Sequence, residues 1–240
     1  MASSFPDPVL PGPGSLQRVR VWDLPLRLFH WLLVACLVGS FVSVKAGWMD
    51  WHFRFGYGAL TLIVFRLLWG FVGPRYARFS SFLFKPSALL AQLRGAPDAP
   101  RTLGHSPTGS LSVFALLAVI AIQASAGLFA SDDIASEGPL ARLVSNASVE
   151  QASWLHHFNE TVILALVALH LLAILFYRIF RRQSLVRPMV VGDRLVPVAA
   201  GAAEPSAPSA RDDAPTRLGA LVVAAIAVAI VACIVNWPVF

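Results

Sequence analysis

The sequence predicts an all-α integral membrane protein, a four-helix transmembrane bundle with a fifth, C-terminal transmembrane helix. Two observations predict it. Apolar residues make up 57% of the 240 and charged residues only 13%, about half the charged share of a soluble domain. The apolar residues also lie in five continuous runs rather than in alternation, and about 20 such residues carry one helix across a bilayer.

Residues 1–20 read as a disordered cytoplasmic tail. The first 16 are rich in Pro, Gly and Ser and hold no Lys or Arg, so they lack the basic and apolar regions of a cleavable signal. The first span is expected over residues 26–44 and the second over 53–73, with a tight turn at 45–51. The loop 74–110 is punctuated by Pro and Gly and has room for a short surface helix near 86–95. A third span at 111–130 and a fourth at 154–177 flank an acidic, polar connection. These elements make a domain of residues 21–192. Residues 193–217 read as a cytoplasmic linker, Ala/Pro/Ser-rich in its middle, and residues 218–240 as an additional transmembrane helix.

Charge sets the expected orientation. The net charge is +6, but the basic residues lie between the spans rather than on one polar domain, which argues against nucleic acid. Of 19 Lys and Arg, all but Lys45, Arg54, Arg66 and Arg142 fall before or early in span one, between spans two and three, or between spans four and five. The positive-inside rule places those segments in the cytoplasm of a bacterial inner membrane, with the N-terminus inside and the C-terminus in the periplasm. The two cysteines, Cys36 and Cys233, form no CxxC or CxxCH motif. Covalent c-type haem, iron–sulfur ligation and a disulfide framework are therefore not expected.

Four of the six histidines, His30, His52, His156 and His170, lie in or at the ends of spans, where ligating groups are costly and functional. His156 and His170 are fourteen residues apart, about 40° short of four full turns and about 21 Å along the helix. They leave one face near opposite sides of the membrane. His157 would sit about 140° from His170. With the charge-derived orientation, matched depths pair His30 with His170 and His52 with His156. Two opposed imidazoles can hold haem iron from both sides, so the four histidines are the expected axial ligands of two non-covalent haems b. Zinc or copper would need ligands gathered within a few ångströms.

On the His52 face follow Gly56, Ala59, Ile63, Arg66 and Gly70 at three- and four-residue steps. The small residues leave room for a flat macrocycle or for close helix packing. Arg66 needs an anionic partner; a haem propionate would serve, as would snorkelling to the interface. Arg27 is a weaker candidate of the same kind. Glu160, one turn below His156, could move protons for a quinone or bond a neighbouring helix. His105 is expected to be solvated, and the tryptophans to anchor the interfaces.

Several segments resemble the bacterial dihaem b-type cytochromes, which include the cytochrome b subunit of nickel–iron hydrogenases. They are VWDLPLRLFHWLL (21–33), WHFRFGYGAL (51–60), FRLLWGFVGPRYARF (65–79), GLFASDD (127–133), LVALHLLAILFY (166–177) and LVRPM (185–189). The resemblance spans about residues 21–192 and implies four helices binding two b haems through His30, His52, His156 and His170. The chain departs from the family at His157, where an acidic residue often stands.

With both axial positions filled, the iron has no open site and the simplest chemistry is one-electron transfer. The expected function is electron transfer between the quinone pool and a periplasmic redox partner, a cytochrome c or a hydrogenase. A stand-alone quinone-linked oxidoreductase acting on a small oxidant such as superoxide is one alternative, and a haem-free membrane scaffold another.

Overall fold

The computed structural model describes residues 16–96, 102–132, 134–197 and 208–237. Five helices in it are long and apolar enough to cross a membrane: α1 (Leu24–Lys45), α2 (Met49–Val72), α4 (Pro107–Gly127), α5 (Asn146–Ile179) and α7 (Ala214–Val235). Two short helices, α3 (Pro86–Leu93) and α6 (Val186–Val191), and two strands, β1 (Leu16–Arg20) and β2 (Asp193–Pro197), lie at one end.

Polar residues mark the helix starts. Asp23 caps α1 by accepting from the Leu26 amide at 2.8 Å, Ser106 caps α4, Ser145 caps α5 and Asp213 caps α7. Such caps satisfy backbone donors that have no partner inside the helix. Pro25, Pro107 and Pro215 lie in the first turns, where a missing amide hydrogen costs nothing. The α1–α2 turn is closed by Gly47, whose φ of 74° suits glycine.

The helices form two antiparallel hairpins, α1–α2 and α4–α5, with α2 at the centre against α1, α4 and α7. A stripe of small residues seats α7: Ala220 and Ala227 are buried, with Val231 one turn on. Short side chains let helix backbones approach closely in lipid. In contrast, α5 packs along α4 without comparable packing on α1 or α2. A gap therefore separates α5 from the first hairpin.

At the strand end, β1 pairs antiparallel with β2, placing Arg20 opposite Asp193. Arg20 Nη1 also reaches Asp212 at 2.7 Å. The half-buried Asp212 carboxylate further accepts from the Leu24 amide at 3.2 Å and from Arg217 Nε at 3.2 Å. One carboxylate thus ties β1, the start of α1 and the start of α7 together. Gly192, with φ of 92°, turns the chain into β2, and a Cβ there would come 2.8 Å from the Trp22 carbonyl.

Several features depart from the sequence expectations. Residues 16–20, assigned to a disordered tail, form β1, because residues distant in sequence supply a strand partner; residues 1–15 lie outside the described residues. Of the linker 193–217, residues 193–197 are β2 and 198–207 lie outside the described residues. The fourth helix begins at Asn146, not near residue 154. Its first two turns are too polar for a hydropathy window, yet they carry helix formers such as Ala147, Glu150, Gln151 and Ala152.

Candidate functional site

At the end opposite the strands, His52 in the first turn of α2 faces His156 of α5. Their ring centroids are 6.1 Å apart and their planes are nearly perpendicular, at 83°. The Nδ1 of His52 lies 3.1 Å from the Ser40 carbonyl oxygen, and the Nδ1 of His156 lies 3.0 Å from that of Gln123. A backbone carbonyl only accepts, so both Nδ1 atoms carry the hydrogen. Each ring is left with its Nε2 lone pair free, the tautomer that a metal-binding histidine needs. Imidazoles on opposite faces of one metal, with metal–nitrogen bonds of about 2 Å, place their centroids about 6 Å apart. The observed spacing matches.

A second layer supports His156. Asn159, buried one turn farther along α5, donates from Nδ2 to the Val119 carbonyl at 2.8 Å and to Gln123 Oε1 at 2.9 Å. Gly127 gives the ring its space: a Cβ there would come 2.9 Å from His156 Cε1. Neither Ser40, Gln123 nor Asn159 stood out in the sequence, because a lone polar residue in an apolar run has no motif. His157 is exposed and donates to the Ser153 carbonyl at 2.7 Å, pointing away from His52.

Toward the strand end, His30 of α1 and His170 of α5 lie within electrostatic range of each other. The His30 Nδ1 is buried and has no hydrogen-bond partner. Arg66 of α2 is also buried, at 2% exposure, and both its Nη atoms are unpartnered. Its guanidinium carbon stacks 4.5 Å from the Phe79 ring centroid, a favourable arrangement for a desolvated cation that leaves its hydrogen-bonding edge unused. Arg27, by contrast, is committed: its Nη1 donates to the Val190 carbonyl at 2.6 Å.

Three residues behave otherwise than expected at this end. His105 is not solvated but wedged between Trp22 and Phe82, with centroid distances of 4.6 and 4.3 Å. Burial, with the positive charge of Arg66 nearby, pushes its pKa down to about 3. Trp22 and Trp69 are core residues rather than interface anchors, and the Trp69 Nε1 donates to Asp23 Oδ1 at 3.3 Å. Gly70 makes room for Phe79, since a side chain there would collide with that ring. Gly56 instead has open space where a Cβ would stand.

The model of the family described as prokaryotic cytochrome b561 matches residues 21–192. The chain belongs to that family. It is 26% identical to the "probable Ni/Fe-hydrogenase B-type cytochrome subunit" of Azotobacter vinelandii, over 74% of this chain and 88% of that protein. The protein of the same name from Azotobacter chroococcum mcd 1 is 25% identical, with the same coverage of each chain. No solved structure matches. Membership makes the chain an integral membrane b-type cytochrome, a carrier of electrons through haem b. The residues present fit such a group. The gap beside α5, the open space at Gly56, the free Nε2 atoms of His52 and His156 and the unpartnered Arg66 edge are what a non-covalent, anionic macrocycle requires.

Proposed function

We propose that the chain conducts electrons across the bacterial inner membrane through two bis-histidine b haems, one held by His52 and His156 and the other by His30 and His170. The observation that carries this reading is the facing pair His52 and His156, at the separation of two ligands on one metal and with both Nδ1 atoms tied to carbonyls. His156 and His170 share one helix and lie about 21 Å apart along it, which puts the two sites in opposite halves of the bilayer. The group itself supplies reversible one-electron chemistry when bound. The protein orients the imidazoles and offers Arg66 to a propionate.

The distribution of Lys and Arg supports an orientation with the strand end in the cytoplasm and the α7 terminus in the periplasm. The membrane-side partner is then quinone, the lipid-soluble carrier, and the partner outside is a redox protein. The relatives' name favours a nickel–iron hydrogenase in that role.

The test is electron flow in proteoliposomes holding the full chain. Electrons should pass between quinone dissolved in the bilayer and an impermeant redox protein or hydrogenase outside, and His156→Ala should stop it. Reduction of a small oxidant at equal rate without any protein partner would instead favour a stand-alone oxidoreductase.

A further inference from the structure

Among the described residues, the buried side-chain polar atoms without a partner belong to Asp23, Arg27, His30, Arg66 and His105, and all five residues lie toward the strand end. A buried polar atom left without a hydrogen bond is destabilising, so native proteins pair such atoms with protein or ordered water. Here they converge. Asp23 is fully buried, and its Oδ1 serves Leu26 and Trp69 while Oδ2 serves nothing. Arg66, one turn before Trp69 on α2, is in electrostatic range of Asp23 but makes no ion pair with it. His105 completes the wall, interacting electrostatically with Arg66 and packed on Phe82, the ring that also lies under the guanidinium.

We propose that this end encloses a hydrated proton site, in which ordered water links Asp23, Arg66 and His105 and the Asp23 carboxylate takes up a proton when the adjacent haem gains an electron. The inference rests on the bis-histidine reading of His30 and His170. The balance is simple: one electron from an external reductant converts ferric to ferrous iron, and one proton from cytoplasmic water binds a carboxylate oxygen. Asp23 precedes His30 by seven residues, about 10 Å along α1. At an effective dielectric near 20, one added charge at about that distance changes a carboxyl's proton affinity about tenfold.

The charged groups in electrostatic range of Asp23 are Arg66 on α2 and Asp212 ahead of α7; Arg27 on its own helix is turned to Val190 and Asp212, and His105, from the segment before α4, lies in range of Arg66. Burial, aided by Asp212, outweighs the hydrogen bonds from Leu26 and Trp69 and holds the Asp23 carboxyl above the usual range. It is thereby moved toward physiological pH. Arg20 and Arg217 are turned to Asp212 instead.

The test is a spectroelectrochemical titration of the haem-loaded full chain from pH 5 to 8.5. The midpoint of one haem should fall with rising pH by about 60 mV in total, the one-electron equivalent of a tenfold change. The other should stay flat. Asp23→Asn keeps an equally good helix cap and should abolish the slope. A protonated-carboxyl infrared band should appear in the reduced-minus-oxidised spectrum of the wild type and vanish in D23N. A flat midpoint in the wild type, or a slope or band that survives D23N, overturns the proposal while leaving two haems in place. A chain that binds no haem at His30 and His170 overturns the reading beneath it, and the proton site with it.

Discussion

The Nδ1 hydrogen of His156 is fixed on the carbonyl oxygen of Gln123, 3.0 Å away. That bond sets the tautomer, leaves Nε2 as the ring's lone-pair nitrogen and makes Gln123 a support of the His156 ring. Asn159 holds the other end of Gln123. Replacing Asn159 with Ala removes two hydrogen bonds and strands Gln123 Oε1, at a cost of about 1–3 kcal/mol. The expected result is retention of the haem of His52 and His156, the outer one, about ten- to a hundredfold weaker with the haem of His30 and His170, the inner one, unchanged, read by haem loss to apomyoglobin.

Glycines distinguish a gap that is filled from one that is merely empty. A Cβ at Gly127 would strike His156, so Gly127→Ala should weaken the outer site by tilting its ligand. At Gly56 an added Cβ meets nothing within 4 Å. Gly56→Phe should therefore leave helix content and thermal stability near wild type while lowering haem content, because the proposed haem beside α5 would need that space. Unaltered haem content in G56F would place the macrocycle elsewhere.

The five spans were legible because lipid requires long apolar runs, and His156 with His170 could be placed on one helix face by counting. What lay beyond the sequence was everything set by tertiary neighbours. The polar first turns of α5, the burial of His105 between Trp22 and Phe82, and the strand pairing of residues 16–20 with 193–197 depend on partners far along the chain. The docking of α7 follows from its alanine stripe, but alanines in an apolar run give no sign of which helix they will meet. Arg66 was visible as a cation in a span; its stacking on Phe79, seven residues beyond the end of α2, was not.

Under the proposed reading, the positive charge of Arg66 beside the haem of His30 and His170, the inner one, would favour the reduced, less positive iron. Arg66→Met should lower the inner-haem midpoint by about 60 mV, the value for one charge at about 10 Å and an effective dielectric of 20. Arg66→Lys should restore part of this, since it returns the charge without the planar fork. Redox titration of both variants reads the difference.

Asp212 gives a stability prediction with a pH signature. Burial alone would raise its carboxyl, but the Arg217 and Leu24 hydrogen bonds and the charges of Arg217 and Arg20 outweigh it and hold the group below the usual value. A depressed carboxyl stabilises the fold above its unfolded pKa and loses that contribution as pH falls through the folded one. Asp212→Asn should lower the thermal midpoint at pH 7, and the gap from wild type should close as pH drops below about 4.

The central claim is two metal sites, each shared by one histidine of α5 and one from the first hairpin. Pyridine haemochrome analysis against chain concentration tests it most directly. The full chain should hold two non-covalent haems b, and His52→Ala and His156→Ala should each hold one and the same one, while His30→Ala and His170→Ala keep the other. A single haem in the wild type, or the loss of different haems from His52→Ala and His156→Ala, would contradict the account.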